Sequence, residues 1–273
     1  MSWHDLKCFI PAVFSVCGRC CLADCVGFVE KLFRYPVKSL GGEELEMVFI
    51  RVDGVEGDRR FALVDEETGL AVSAKNPKLY SKLLDVKASL RDGGLFIQTP
   101  DGNVYKDDEC GPALSALTGR RLKLVNNNGI SLGYVGLEVE FSDVVKYFEK
   151  QGFTRQQTFH DSQPIHIVFG EALSGLGLSQ ADAARFRPNI LVDSSATERD
   201  MLNKVVGVGD ALLRIVKPTK RCVMVTLPQK GLKQDITILK TIRERFNGVL
   251  GLYAQVVHEG VVRRGDPIKV LSC

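Results

Sequence analysis

The segment KASLRDGGLFIQTPDGNVYK, residues 87–106, limits the possible folds more than any other. Two Asp-Gly pairs cut it into short apolar runs, and Asp-Gly favours the tight turn of a β-hairpin. The spacing predicts a three-stranded meander. Neighbouring segments read the same way. FVEKLFRYPVKSL (28–40) is a strand-like run closed by Pro36, and RRFALVDEETGLAVSAK (59–75) reads as two strands about the turn EETG. Helical interruptions are short: NPKLYSKLL (76–84) and GPALSALTGR (111–120), the second with Pro112 in its first turn.

Further along, FSDVVKYFEKQG (141–152) has the clearest helical pattern, with Ser142 to cap it, Val144, Val145 and Phe148 on one face, and Gly152 to end it. PIHIVF (164–169), NILVD (189–193), ALLRIV (211–216) and CVMVTL (222–227) read as strands. EALSGLG (171–177), SQADAARF (179–186) and ERDMLNKVV (198–206) read as short helices, and ITILKTIRERF (236–246) fits either state. YAQVVHEGVVRRGDPIKVL (253–271) reads as a hairpin turning at HEG. The expected fold is α+β and β-rich, with no regular βαβ alternation. Its expected parts are a head over 1–27, a β-barrel-like domain over 28–125, a connecting helix and linker over 126–160, and a second β-barrel domain over 161–273. Neither GxGxxG nor GxxxxGK[ST] occurs, so the two commonest nucleotide-phosphate cradles are absent.

A formal net charge of +3, without a long basic stripe, argues against a dedicated nucleic-acid binder. Five of the eight cysteines lie in the head: Cys8, Cys17, Cys20, Cys21 and Cys25. That clustering does not resemble a secreted disulfide framework, and it predicts an intracellular, reducing compartment, cytoplasmic by default. The head's apolar run is too short to cross a bilayer. Its single CxxC lacks a partner pair at zinc-ribbon distance. A metal site, a disordered tail, a targeting remnant and a lipidated anchor all stay open there, and membrane contact would come only through this head.

Four segments could carry chemistry. In YPVKSL (35–40), Lys38 and Ser39 follow a strand end, where an ammonium and a hydroxyl can hold an anion; a solvated loop is the alternative. In GDRRFALV (57–64), Arg59 and Arg60 are adjacent at a strand start, so one points inward and needs an anionic partner, either Asp58 or a ligand. In DSQPIHIVF and ARFRPNILV, Asp161 and Ser162 precede one strand, while Arg185, Arg187 and Asn189 bracket Pro188 before another. An arginine fork with a nearby amide suits a planar, polar, anionic ligand. His166 alternates with apolar neighbours and reads as structural. In KPTKRCVMVTL (217–227), a lone Cys222 follows Lys217, Lys220 and Arg221. A thiolate is both nucleophile and soft metal ligand, and nearby cations favour that form. No histidine stands close in sequence to make a cysteine–histidine pair.

Taken in order, YPVKSL, GDRRFALVD, DSQPIHIV, RFRPNILV, GVGDALLRIVKPTKRCVMVT and GVVRRGDPIKVL resemble the MOSC family, the molybdenum cofactor sulfurase C-terminal domain, preceded by its N-terminal β-barrel domain. The resemblance covers residues 28–271 and is greatest to the amidoxime-reducing members. It implies that Cys222 ligates molybdenum, and that Lys38, Ser39, Arg59, Asp161, Ser162, Arg187 and Asn189 hold the molybdenum cofactor (Mo-molybdopterin). It implies reduction of small N-hydroxylated compounds. The chain stops at Cys273 without a plant-type ferredoxin cysteine run, so electrons are expected from an external ferredoxin- or cytochrome-type protein. The family is also linked to pyridoxal phosphate binding. LPQKG (227–231) stands where reductase members often carry DPDTG, so two acidic residues are missing there. A second function stays open: a cofactor or sulfur carrier using Cys222 without reductase activity.

Overall fold

In the computed structural model the described residues are 23–126 and 159–271, apart from 195 and 230. The expected helix over 141–152 and most of the linker lie outside them. The first strand, β1 (Ala23–Arg34), begins inside the expected head, and Cys25 is an exposed residue of it. Then follow β2 (Glu43–Leu45), β3 (Met47–Arg51), β4 (Gly54–Val55), β5 (Phe61–Asp65) and β6 (Leu70–Ala71). The meander appears as expected: β7 (Lys87–Arg91), β8 (Gly94–Gln98) and β9 (Val104–Lys106) pair in order. Helices α1 (Pro77–Tyr80) and α2 (Cys110–Thr118) occupy the two predicted sites, and β10 (Leu122–Asn126) pairs with β5.

The second half supplies β11 (Ile165–Phe169), α3 (Gly170–Ser174), β12 (Ile190–Asp193), β13 (Val205–Val208), β14 (Ala211–Lys220), α4 (Thr237–Arg245), β15 (Val249–His258), β16 (Gly260–Arg263) and β17 (Pro267–Leu271). Here β12, β11, β15, β14, β13, β17 and β1 follow one another by hydrogen bonding, and a β12–β1 pairing closes them into a seven-stranded barrel. Strand β1 therefore belongs to the barrel of the second half. β11 and β12 are buried on both faces, which is why their sequences read as continuous apolar runs. Ile165, Ile167, Phe169, Ile190 and Val192 fill the barrel, while Val168 and Leu191 point outward under α3 and α4, beside Ile238 and Ile242. Each such side chain contributes about 1.5–3 kcal/mol on full burial. A separate core of Val37, Leu40, Leu63, Tyr80, Leu83 and Val86 supports the small sheets of the first half.

Three expectations are corrected. CVMVTL is not a strand: β14 ends at Lys220, and Val223–Thr226 form a 3-10 turn. Its apolar residues face two clusters, Val225 that of α3 and α4, Val223 and Met224 the small group around Leu84 and Leu227. That tertiary packing overrides the β-branched propensity. ERDMLNKVV is helical only as a 3-10 turn over Glu198–Met201, after which β13 begins. HEG does not close a hairpin, because β16 leaves β15 to pair with β3.

Candidate functional site

Three short turns carry most of the site, and each holds a residue in a conformation that its side chain disfavours. Seven non-glycine residues among those described have positive φ. Four are Asp or Asn, which tolerate it. The others are Ser39 (69°), Arg59 (47°) and Arg187 (54°). The left-handed region costs about 1–2 kcal/mol per such residue, and strain of this kind concentrates at functional sites. Backbone hydrogen bonds hold all three turns. Arg59 N donates to Tyr35 O at 2.7 Å, Lys38 N to Phe61 O at 2.9 Å, and Arg187 N to Ala184 O at 3.1 Å. Ser39 Oγ accepts from Ala74 N at 3.1 Å, which leaves its own hydrogen to donate.

These turns meet at one cavity of about 590 Å³, within the usual range for small-molecule sites. All eight expected site residues line it: Lys38, Ser39, Arg59, Asp161, Ser162, Arg187, Asn189 and Cys222. Asp58 lies fully buried beneath them. It accepts from Tyr35 N at 2.7 Å, from Asn189 Nδ2 at 3.0 Å, and from Arg59 Nη1. The inward arginine is thus Arg59, and its anionic partner is Asp58; Arg60 is exposed. Arg59 also donates to Arg187 O at 3.1 Å. The two guanidinium groups lie 4.6 and 4.3 Å from the Tyr35 ring centroid, each a cation–π contact. Asn189 gives both amide hydrogens to protein acceptors, Asp58 and Phe33 O, and accepts from His166 N. It therefore braces the site through Asp58.

Charge is arranged in the same way. Burial alone would lower the Arg59 pKa, but the Asp58 carboxylate overcomes this and raises it. Arg187 has no such partner, and burial, aided by Arg59, pulls it down to about 10. Asp161 pairs with Lys38 and with Lys75 Nζ at 3.2 Å. Enclosure would raise its pKa, but the two lysines hold it well below the usual carboxylate range. His160, buried between Asp58 and the cavity, is pulled down to about 4 by burial and stays neutral at pH 7.

Cys222 is part-buried where the chain leaves β14. The preceding Arg221 is fixed by three bonds: Nε to Leu250 O at 2.6 Å, Nη1 to Phe186 O at 3.1 Å, and Nη2 to His166 Nε2 at 2.7 Å. His166 Nδ1 lies 3.1 Å from Arg187 O. Burial, then Arg221, lowers the His166 pKa well below its ordinary value, so the neutral ring donates from Nδ1 and accepts at Nε2. The structural reading of His166 holds, and its role is specific, because the ring ties the Arg187 turn to the Cys222 turn. Tyr253 lies against it, the ring centroids 5.4 Å apart and the planes tilted by 47°, and lines the cavity; burial and Asp161 keep its hydroxyl protonated.

Sequence reasoning missed Lys75, His160, Tyr253 and the bracing role of Tyr35. Lys75 and Tyr253 sit in segments read only for secondary structure. His160 directly precedes Asp161, the one local signal available. Arg185 is buried on Leu227 O and Lys233 O, a structural role. Among the described residues no three His, Cys, Asp or Glu side chains converge as a metal site. No helix among them is long and apolar enough to cross a membrane.

Comparison with known proteins gives the following. Residues 26–111 match the MOSC N-terminal beta barrel domain, and residues 154–269 match the MOSC domain. Mitochondrial amidoxime reducing component 2 of Rattus norvegicus is 23% identical, over 89% of this chain and 83% of its own length. Mitochondrial amidoxime-reducing component 1 of Homo sapiens is 23% identical, over 90% and 84%. Among solved structures, the YuaD protein of Bacillus subtilis aligns with 92% of this chain and 100% of its own, at 12% identity and a TM-score of 0.46.

Proposed function

The chain belongs to the MOSC family, and from its site we propose that it binds the molybdenum cofactor and reduces small N-hydroxylated compounds with electrons from a separate carrier protein. One observation carries the reading: the cavity that gathers the three strained residues Ser39, Arg59 and Arg187 also has Cys222 in its wall. The distant relationship to amidoxime-reducing components supports the reaction class.

The residues present fit the cofactor. Lys38, Lys75, Arg59 and Arg187, set against Asp58 and Asp161, leave two positive charges at this end of the cavity. A phosphate monoester carries about −1.5 to −2 at neutral pH. Lys38, Arg59 and Arg187 would hold that phosphate, with Ser39 donating its hydroxyl hydrogen. Asp161, 42% exposed at the side chain, offers a carboxylate edge to ring N–H groups, and Ser162 adds a hydroxyl beside it. Asn189 acts one step back, by holding Asp58 and so Arg59. Cys222 would supply a thiolate sulfur to the metal.

When bound, the cofactor supplies two-electron removal of oxygen: the N–O bond breaks, two electrons and two protons are consumed, and water leaves. The chain's own contribution is position and charge. Arg221 and His166 fix the turn that presents Cys222, and Tyr253 keeps a protonated hydroxyl on the cavity wall.

The test is molybdenum and pterin content of protein from a cofactor-competent host, as wild type and Cys222→Ser, with benzamidoxime reduction driven by reduced viologen. Near-stoichiometric metal lost in the variant, with turnover lost as well, is expected. Metal-free wild type from a host whose other molybdoenzymes are loaded would overturn the reading. A persulfide trapped on Cys222 without turnover would favour the sulfur-carrier function.

A further inference from the structure

Two lysines of the cavity wall take no part in holding it. Lys217 and Lys220 are exposed and line the cavity, and their side chains make no hydrogen bond or ion pair among the described residues. In a regular strand, positions 217 and 220 would face opposite sides of the sheet. Here the β14–β15 register shifts between Pro218 and Lys220, that is, between the two lysines. Such bulges re-aim side chains and are common beside active sites. Both lysines line the wall that also contains Cys222. Pro218 stiffens the backbone between them.

The other cations are engaged. The inner set leaves the two charges that a phosphate monoester answers, as above. Arg185 and Arg221 are held by carbonyl oxygens and His166. Asp161, the one carboxylate in the wall among the described residues, already has two lysines. The chain after the thiol, CVMVTLPQKGLK (222–233), contains no acidic residue. A second pair of positive charges therefore remains in the wall that also contains Cys222, beyond what the phosphate requires.

We propose that the substrate of this site carries an anionic group of its own, a carboxylate or its equivalent, which Lys217 and Lys220 hold beside Cys222. The reductase reading above is the premise, and the inference narrows its substrates to N-hydroxylated acids.

The test uses a matched pair, benzamidoxime and 4-carboxybenzamidoxime, with cofactor-loaded protein as wild type and as the Lys217→Gln/Lys220→Gln double variant. Binding is read by calorimetry, turnover with reduced viologen, and molybdenum by mass spectrometry. Wild type should bind the carboxylate compound about tenfold more tightly at low salt, the scale of two exposed ion pairs, with the preference shrinking as salt is added. The double variant should lose the preference and keep its molybdenum. Equal affinity of wild type for both compounds, or a preference that survives in the variant, would overturn the proposal. Loss of molybdenum from the variant would also overturn it, by assigning the lysines to the cofactor. Preferential binding of the carboxylate compound without turnover would uphold the anion site and refute the reductase reading instead.

Discussion

Gly251 tests the architecture of the site more sharply than any residue that lines it. Its φ is +84°, and an added Cβ would lie 2.6 Å from His166 Nε2, 2.7 Å from Arg221 Nη2 and 3.0 Å from Ile167 O. Gly248, three residues earlier and just before β15, has φ +78° and nothing within 4 Å of its Cβ position. Alanine at either place incurs left-handed strain of about 1–2 kcal/mol. Only at Gly251 must a guanidinium also move, and Arg221 is pinned by three hydrogen bonds. Losing one charge-assisted bond costs about 1.5–3 kcal/mol. Gly251→Ala should therefore destabilise by about 3–5 kcal/mol and Gly248→Ala by about 1–2 kcal/mol. Urea unfolding of both variants against wild type reads the difference directly. Molybdenum content should fall only in Gly251→Ala, because Arg221 leads into Cys222. Equal losses of stability in the two variants would refute the claim that the His166–Arg221 contact occupies the space that this glycine leaves.

Other outcomes follow from the same structure. The folded pKa values of His160 and His166 lie below the unfolded value of about 6.5, so between there and their folded values the unfolded chain binds more protons. Stability should fall as pH drops from about 6.5 toward 4, by about 3 kcal/mol from His160 alone; a flat profile in urea titrations over that window would contradict it. Asn189→Ala should cost about 3 kcal/mol in the same assay, because His166 N, Phe33 O and Asp58 each lose a buried partner. Ser39→Gly exchanges a strained backbone for a lost hydrogen bond, so its stability should stay within about 1 kcal/mol of wild type while cofactor retention falls. Reduced retention would show as less molybdenum after gel filtration.

Much of this was legible in the chain, for identifiable reasons. The meander β7–β9 followed from Asp-Gly pairs, whose turn chemistry is local. PIHIVF and NILVD read as strands from short apolar runs, and an inward arginine at 59 or 60 was expected to need a counter-charge from Asp58 or a ligand, a choice the structure settles as Arg59 with Asp58. The eight site residues came from ordered motifs that resemble one family, and they do share a cavity. Long-range packing was not readable. Nothing local says that CVMVT bends into a 3-10 turn between two apolar clusters, or that β16 abandons β15 for β3. The left-handed conformations of Ser39, Arg59 and Arg187 contradict their own propensities, so only tertiary structure could reveal them. Lys217 and Lys220 were visible as charges, but their shared wall depends on the register shift between Pro218 and Lys220 in β14.

The closing of the barrel by β1 has a consequence for how the chain is made. Between Ala23 and Phe28 this strand pairs with β17, and from Phe28 to Leu32 with β12. A ribosome emits β1 well before β17. At about 5–20 residues per second, the roughly 240 residues between these partners take about 12–50 seconds to synthesise. Throughout that interval Val29 and Leu32, which end in the barrel core, have no barrel to enter. The nascent protein thus leaves this apolar strand without its β17 partner until β17 is made, and an unpaired strand edge is a template for aggregation.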